Sequence, residues 1–333
     1  MFLKIYQKEW VRWLGGLKET MKVFSPARVN GLWEYGPGGF QTLTPSFFNS
    51  RIPPKSLFFP PFQSLLGWKS SNGSPQLYPH HAPDGQRAIV GVRPCDARAL
   101  RLLEPVFLKD TEDIFYSQNL SRTLLLGQAC RGHCGGSFCE EMGIHPQDSP
   151  DVDLFLREIP GAYLVKIITE KGRKLAAGGL FQESSEQEWK AGEGEMSGKR
   201  GHPLFDLEKV KAGVGERFPD EAFWRRVSGK CINCGICTYL CPTCHCFDLC
   251  DQQRPGQGVR YRCFDSCAFP SFTKMAVHNP REEKWRRYRQ RVNHKFSFFY
   301  QNFQAAGCVG CGRCVALCPV NLDLREVLQE IAR

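Results

Sequence analysis

The hydrophobic pattern of the first half of the chain predicts short buried strands and one amphipathic helix. Arg87–Val92 and Arg122–Gly127 are nearly continuous apolar runs, which is typical of buried strands. Asp96–Phe107 has apolar residues at helical spacing, with its first residue as a candidate N-cap. Asp153–Glu170 indicates two strands around a Pro-Gly turn. We therefore expect an N-terminal mixed α/β domain over residues 1–182.

The second half of the chain has a different pattern. Residues 183–204 are polar and rich in Gly and Ser, which predicts a linker or an exposed loop. Residues 205–333 form the predicted C-terminal domain, and their last segment predicts a helix with one apolar face, made by Leu324, Val327, Leu328 and Ile331.

Composition excludes several classes of protein. The chain has 333 residues, of which 42% are apolar and 24 are Phe, so most of it is not disordered. Its apolar runs are far shorter than the roughly 20 residues of a membrane-spanning helix. The N-terminus has neither an uninterrupted hydrophobic stretch nor a cleavage site typical of a secretory signal. We expect a cytoplasmic protein without membrane insertion.

Cysteine is the most informative residue type. The chain has 17 cysteines, an odd number, and thirteen of them lie between Cys231 and Cys318. A disulfide scaffold would require an oxidising compartment and favours an even number. Dense thiols in a chain without an export signal indicate metal binding instead.

The densest cysteines form an internal repeat, Cys231–Pro242 and Cys308–Pro319. Both copies follow the spacing C-x2-C-x2-C-x3-C-P, which is typical of bacterial ferredoxins with two [4Fe–4S] clusters. In such a module the fourth cysteine of each copy binds the other cluster. Cluster one is therefore predicted at Cys231, Cys234, Cys237 and Cys318, and cluster two at Cys308, Cys311, Cys314 and Cys241.

Structural zinc is the alternative for these cysteines. Zinc sites use four ligands in two separated pairs, whereas each copy here supplies a third closely spaced cysteine and a proline after the fourth. The spacing strongly favours clusters. Each oxidised cluster with its thiolates carries about −2, so two clusters lower the formal charge of +10. The smaller positive charge weakens the hypothesis that the chain binds nucleic acid.

The other nine cysteines leave alternatives open. Four of them follow predicted strands and predict a third cluster, a zinc site or buried free thiols: Cys95, Cys130, Cys134 and Cys139. A further group follows the first motif and predicts another metal site, a redox-active thiol pair or thiols that insulate cluster one: Cys244, Cys246, Cys263 and Cys267, with Cys250 nearby.

A basic segment, Arg281–Lys295, contains seven basic and two acidic residues with two interleaved aromatic residues. Such a segment binds nucleic acid in some proteins. Helical spacing, however, places Arg287 and Arg291 on one face. We favour a face that lies beside the anionic clusters or docks an acidic partner subunit.

Several segments together resemble one family. They are RPCDARAL, ACRGHCGGSFCEEMG, CINCGICTYLCPTCHCFD, DSCAFPSFTKMAVHNPRE and CVGCGRCVALCPVNLD. They resemble the iron–sulfur beta subunit of cytoplasmic hydrogenase/sulfur reductase (sulfhydrogenase) and the corresponding iron–sulfur subunit of anaerobic sulfite reductase. One departure is that family members often have a Cys-Phe-Cys triplet, whereas this chain has Ser137-Phe138-Cys139 with Cys134 upstream.

The resemblance implies an electron-transfer subunit that acts between a flavoprotein and a hydrogenase, sulfite reductase or heterodisulfide-reductase-type partner. The expected fold class is α+β, in which the N-terminal mixed α/β domain precedes a bacterial-type 2[4Fe–4S] ferredoxin-like module embedded in a mainly helical domain. The alternative function is a reductase that acts directly on a sulfur substrate at the N-terminal or the Cys244–Cys267 site.

Overall fold

The computed structural model describes residues 1–38, 47–71, 74–80, 85–194, 196 and 202–333. The strands in this part of the chain are β1 (Phe2–Tyr6), β2 (Lys22–Val29), β3 (Leu32–Pro37), β4 (Phe62–Ser71), β5 (Ser74–Pro79), β6 (Arg87–Val92), β7 (Thr123–Gln128), β8 (Leu154–Ile159), β9 (Ala162–Ile167), β10 (Gln182–Ser184), β11 (Phe247–Arg254) and β12 (Gln257–Phe264).

Helices are distributed over both halves of the chain and dominate the second. They are α1 (Gln7–Thr20), α2 (Pro94–Leu108), α3 (Ile114–Ser121), α4 (Glu170–Leu175), α5 (Glu186–Ala191), α6 (Leu207–Glu216), α7 (Glu221–Val227), α8 (Ile236–Tyr239), α9 (Lys284–Asn293), α10 (Phe299–Phe303), α11 (Arg313–Ala316) and α12 (Leu324–Ile331). A π-helical turn, His294–Phe298, joins α9 to α10. Among the described residues, no helix is long and apolar enough to cross a membrane.

An eight-stranded mixed sheet forms the N-terminal half, in the order β10-β1-β9-β8-β7-β6-β2-β3. Its central strands β2, β6, β7 and β8 pair in parallel. Strands β6 and β7 are buried along nearly their whole length, as their continuous apolar sequence predicts. Helices cover both faces, so that Trp10 belongs to the core on one face and Leu103 to the core on the other.

The C-terminal half is a helical domain around the two cysteine motifs. Its core contains Trp224, Phe296 and Leu328, and Asp323 caps α12 by accepting a hydrogen bond from the backbone N of Arg325 at 2.8 Å. The α+β class is confirmed.

The two halves are less separate than the predicted division at residues 182 and 205 implies. A second, antiparallel sheet has the order β11-β12-β4-β5. The hairpin β11–β12 from the C-terminal half therefore completes a sheet with β4 and β5 from the N-terminal half. Buried Arg262 on β12 also forms an ion pair with Asp113, at the N-cap of α3.

The predicted linker, residues 183–204, starts too early. Residues Gln182–Ser184 form an edge strand paired with β1. Helix α5 follows, capped by Ser185, whose side chain accepts a hydrogen bond from the Glu188 backbone N at 3.0 Å. Trp189 anchors this helix in the core, and this single large apolar residue outweighs the polar composition around it. Residues 195 and 197–201 lie outside the described residues.

Candidate metal centres

Each cysteine motif folds into a tight loop followed by one turn of helix. Gly235 (φ 77°) precedes α8 and Gly312 (φ 78°) precedes α11. Both have the left-handed conformation that glycine adopts without steric cost. The loops turn backbone N–H groups towards sulfur, since the N of Asn233 lies 3.4 Å from the Cys231 Sγ and the N of Gly310 lies 3.4 Å from the Cys308 Sγ.

The four cysteines predicted for cluster one line a single cavity: Cys231, Cys234, Cys237 and Cys318. The first three come from one loop, and the fourth comes from the end of the other motif. The backbone N of Leu322 donates to the Cys318 Sγ at 3.3 Å. Tyr288 and Arg291 of α9 form part of the cavity wall, so the basic helix lies beside this site.

The four cysteines predicted for cluster two also lie near one another: Cys241, Cys308, Cys311 and Cys314. The pKa of the Cys308 thiol is raised to about 11, chiefly by burial and also by the neighbouring Cys241 and Cys314 sulfurs, against the opposing effect of Lys295. Burial likewise raises the pKa of Cys311, with Cys241 and Cys314 among the contributing neighbours. The raised pKa values of Cys308 and Cys311 indicate that these two buried thiolates are unfavourable unless a positive centre binds them.

A buried lysine supports this second site. Lys295 is 4% exposed, and its Nζ donates to the Cys241 Sγ at 3.2 Å, to Thr243 Oγ1 at 3.1 Å and to the Gly307 carbonyl at 2.9 Å. Burial alone lowers the pKa of Lys295, but the Cys241 and Cys244 sulfurs outweigh it and hold the pKa above its ordinary value. The ammonium is therefore charged and faces sulfur.

The basic segment is mostly turned inward. Helix α9 buries Arg287 and Arg291. Burial lowers the pKa of Arg291, but the nearby Cys237 and Cys314 sulfurs help to hold it well above its ordinary value. These arginines neutralise the cysteine sites from inside the molecule. The docking alternative requires these two arginines to be available to an acidic partner. Because they are buried, they can contact neither an acidic partner nor a nucleic acid.

The cysteine sites fit clusters better than single ions. Among the described residues, no group of three or more His, Cys, Asp or Glu side chains is placed to hold one metal ion. The sulfurs instead surround a space, which is what an inorganic cube requires of its four thiolates. Buried cations and N–H groups directed at sulfur suit a group of net negative charge.

The N-terminal cysteines also come together. Cys95, Cys130, Cys134 and Cys139 line one cavity. Asn49 Nδ2 lies 3.8 Å from the Cys95 Sγ. Ser137 lines the same cavity, so serine occupies a position at the site where the resemblance implies cysteine, and Cys134 is present beside it.

The further group is divided by the structure. Cys246 and Cys267 share a hydrogen bond, and Cys244 lies close to Cys267 and to Cys241. Cys263 lies on β12, which pairs with β11, and its Sγ lies 4.0 Å from that of Cys250. The predicted site of Cys244, Cys246, Cys263 and Cys267 stays a prediction.

Three buried basic side chains that lie beside the cysteine sites were missed by the sequence analysis. Lys295 was included only as one end of the basic segment, and Lys55 lies in a proline-rich segment, where its buried Nζ donates to the Cys244 carbonyl at 2.7 Å. Arg313, in the second motif, pairs with Asp96, which is in the first turn of α2 and is not its N-cap. Arg313 could have been noticed in the sequence, because it is a basic residue between two cysteines of the second motif.

Comparison with known proteins agrees with the cysteine pattern. The 4Fe-4S dicluster domain family matches residues 230–322, which confirms the prediction of two [4Fe–4S] clusters. Sulfhydrogenase 2 subunit beta of Pyrococcus furiosus is 27% identical over 342 aligned positions, which cover 99% of this chain and 98% of that protein. No solved structure matches the chain. The chain is an iron–sulfur protein with a 4Fe–4S dicluster domain, homologous over nearly its whole length to a sulfhydrogenase beta subunit.

Proposed function

We propose that this chain is the electron-transfer subunit of a multi-subunit cytoplasmic oxidoreductase, which relays single electrons between a flavoprotein and a catalytic partner. The partner is of the hydrogenase, sulfite reductase or heterodisulfide-reductase type. A [4Fe–4S] cluster with four thiolate ligands exchanges one electron and has no free position for a substrate. The residues of the chain hold, insulate and order the clusters.

The adjacency of the two dicluster sites carries this proposal. Cys314, a predicted ligand of cluster two, also lines the cavity of cluster one, so the two sites share a wall. From cluster one the path reaches the surface at Cys234, which is exposed. Beside it, the Ile232 side chain is 61% exposed, and an exposed apolar residue next to a cluster ligand is suited to contact with a partner subunit.

The assembly and the compartment are supported by two further observations. The Pyrococcus furiosus relative is, by its name, one subunit of a sulfhydrogenase, which supports a hetero-oligomer. None of the seventeen cysteines forms a disulfide with another, which fits a protein kept in a reducing compartment.

Electron transfer can be tested on the complex isolated without oxygen. The complex is reduced with dithionite and mixed rapidly with a one-electron viologen acceptor while the cluster signals are followed. We expect Cys311→Ser to lose cluster two, about four irons per chain, and to slow re-oxidation, whereas Cys250→Ser, the matched control, behaves as wild type. Unchanged transfer in Cys311→Ser, with its iron lost, would contradict the proposal.

The crossed ligand assignment has its own test. Cys318 belongs to the second motif but is predicted to bind cluster one, and Cys314 is predicted to bind cluster two while bordering both. Cys318→Ser should alter the electron paramagnetic resonance signal of the same cluster as Cys231→Ser. If it alters the signal that Cys308→Ser alters, the crossed assignment is wrong.

A second candidate function is direct reduction of a sulfur substrate, at the N-terminal or the Cys244–Cys267 site. The hydrogen-bonded thiols of Cys246 and Cys267 favour it, because adjacent thiols can form a disulfide. The test is polysulfide reduction by the isolated, dithionite-reduced chain. Turnover that Cys95→Ala or Cys246→Ala abolishes supports this function, while the relay predicts no turnover by the chain alone.

A further inference from the structure

The parallel strands β6 and β7 bring together thiols that are distant in the sequence. Arg87–Val92 pairs with Thr123–Gln128, so the carboxyl ends of both strands meet at one edge of the sheet, where open α/β sheets bind ligands. Cys95 lies in the first turn of α2, which follows β6. The loop after β7 supplies the other three, Cys130, Cys134 and Cys139.

This loop is held in place by the C-terminal half. The backbone N of Phe138 donates to the Gly310 carbonyl at 2.7 Å, and the backbone N of Cys130 donates to the Pro146 carbonyl at 2.9 Å. Phe138 is fully buried. The loop therefore has a fixed path, and the cavity that its cysteines line with Cys95 is a built feature of the fold.

Cations lie next to these thiols, as they do in the dicluster sites. Arg93 is 2% exposed, and its Nη1 donates to the Ala129 carbonyl at 2.6 Å, directly before Cys130. Arg313 is also buried and pairs with Asp96, the neighbour of Cys95. Two buried guanidinium groups against one carboxylate leave positive charge at the cavity, which suits four thiolates around a cluster of net charge about −2.

A single zinc ion does not account for the arrangement. Zinc holds its four ligands in a tetrahedron at about 2.3 Å from each sulfur, and within the described ranges no three such ligands are grouped closely enough around one point. As in the cavity of cluster one, the sulfurs line a space.

The cavity adjoins cluster two. Cys311, a predicted ligand of that cluster, lines it together with the four N-terminal cysteines. Cys314, another predicted ligand of cluster two, lines the cavity of cluster one. Cluster two thus lies between the other two sites, with one of its ligands in the wall of each.

We propose that Cys95, Cys130, Cys134 and Cys139 bind a third [4Fe–4S] cluster, and that the three sites form a row with cluster two in the middle. One end of the row reaches the surface at Cys234. The other borders an open groove that Cys134 lines with Trp33 and Phe48. The row deepens the proposed relay function and rests on it, because it gives each of two partner subunits a separate surface from which to approach.

The experiment is an iron and sulfide count on the complex purified without oxygen, together with Mössbauer spectra and a zinc determination. We expect about twelve irons in this chain, and about eight in Cys130→Ser and in Cys134→Ser, with the dicluster signals retained. Cys250→Ser, which removes a thiol outside the three sites, keeps about twelve. The subunit's iron is obtained by subtracting the partners' content, measured on partners prepared without this chain.

Two results would overturn the third cluster. One is about eight irons in the wild-type chain, with or without one zinc. The other is about twelve irons in both Cys130→Ser and Cys134→Ser. The wild-type count does not depend on the folding of any variant. Failure of the relay is distinct, since it shows as unchanged viologen re-oxidation in Cys311→Ser whatever the iron content of the N-terminal site.

Discussion

The two copies of the cysteine motif have the same ligand spacing and very different surroundings. At the second position of the motif, Ile232 is 61% exposed in the first copy, whereas Val309 is 2% exposed in the second. The first copy faces outward, and the second is covered by the N-terminal domain. The same ligand spacing thus occurs in one exposed and one buried setting.

The loop after β7 covers the second copy and explains why the residue at the third position differs between the copies. The third position is Asn233 (φ 54°) in the first copy and Gly310 (φ 60°) in the second. Both have left-handed backbone, which Asn tolerates. A Cβ at Gly310, however, would clash with the Phe138 carbonyl oxygen. Glycine is therefore required at 310 by the approach of the loop, and not by backbone conformation alone.

The fourth cysteines differ in the opposite sense, because each is predicted to bind the cluster of the other copy. Cys318 accepts a hydrogen bond from a backbone N–H, that of Leu322, at 3.3 Å. Its counterpart Cys241 accepts one from the buried ammonium of Lys295 at 3.2 Å. A charged donor stabilises anionic sulfur more than a neutral one, so the interior site has the stronger electrostatic support at this position.

The largest effect that separates the copies is expected at the sixth position, which is Arg313 in the second copy and Ile236 in the first. Arg313 donates to both Asp96 oxygens, at 2.7 and 2.8 Å, and Asp96 is 1% exposed. Arg313→Ile leaves a buried carboxylate without its partner and should lower the free energy of unfolding by about 3–5 kcal/mol. Urea denaturation of the protein prepared without oxygen measures this loss.

The paired variant Arg313→Ile/Asp96→Leu is the control for that prediction. Removing both charges should recover much of the lost stability, because a buried ion pair is often replaceable by apolar residues of similar volume. A loss below about 1 kcal/mol in Arg313→Ile alone would show that this ion pair does not hold the halves together.

The comparison also shows how far the sequence predicts this molecule. The spacing of the motifs predicted the dicluster domain, and apolar runs predicted β6, β7 and the β8–β9 hairpin, because these signals are local. The β12–β4 pairing and the Asp96–Arg313 contact were not predicted. They join residues about 200 positions apart. Each residue also fits a common local role, such as the N-cap role predicted for Asp96, so the local sequence gives no sign of the distant contact.

Gly310→Asn gives the second copy the residue of the first and should have a smaller effect than the broken ion pair. Since Asn accepts positive φ, its cost arises from the contact with the Phe138 carbonyl, and overpacking of this kind costs about 1–3 kcal/mol. Urea denaturation should show this loss, and loosening of the loop should reduce the iron at the N-terminal site. The reverse change, Asn233→Gly, should keep the iron content and most of the stability. Equal losses in the two variants would contradict the role of the loop.

Lys295→Met should affect the reduction potential of cluster two more than the stability of the fold. Removing the charged donor to the Cys241 Sγ destabilises the more negative, reduced state of cluster two. We therefore expect its reduction potential to fall by about 60 mV, which corresponds to a tenfold change for one electron. A redox titration followed by electron paramagnetic resonance measures both clusters in one sample, so cluster one serves as the internal control. An equal shift of both clusters, or of neither, would contradict the assignment of Lys295 to cluster two.

Ile232→Asp should have the smallest effect on the chain itself. The side chain is 61% exposed, so the free energy of unfolding should change by no more than about 0.5 kcal/mol and the iron content should stay constant. If this face receives a partner subunit, the charge should weaken assembly of the complex and slow re-oxidation through cluster one. Val309→Asp, at the same position of the buried copy, should instead destabilise the chain strongly, because it buries an unpaired charge. Size-exclusion chromatography of the complex and urea denaturation separate the two effects. Normal assembly and normal re-oxidation in Ile232→Asp would place the partner on another surface.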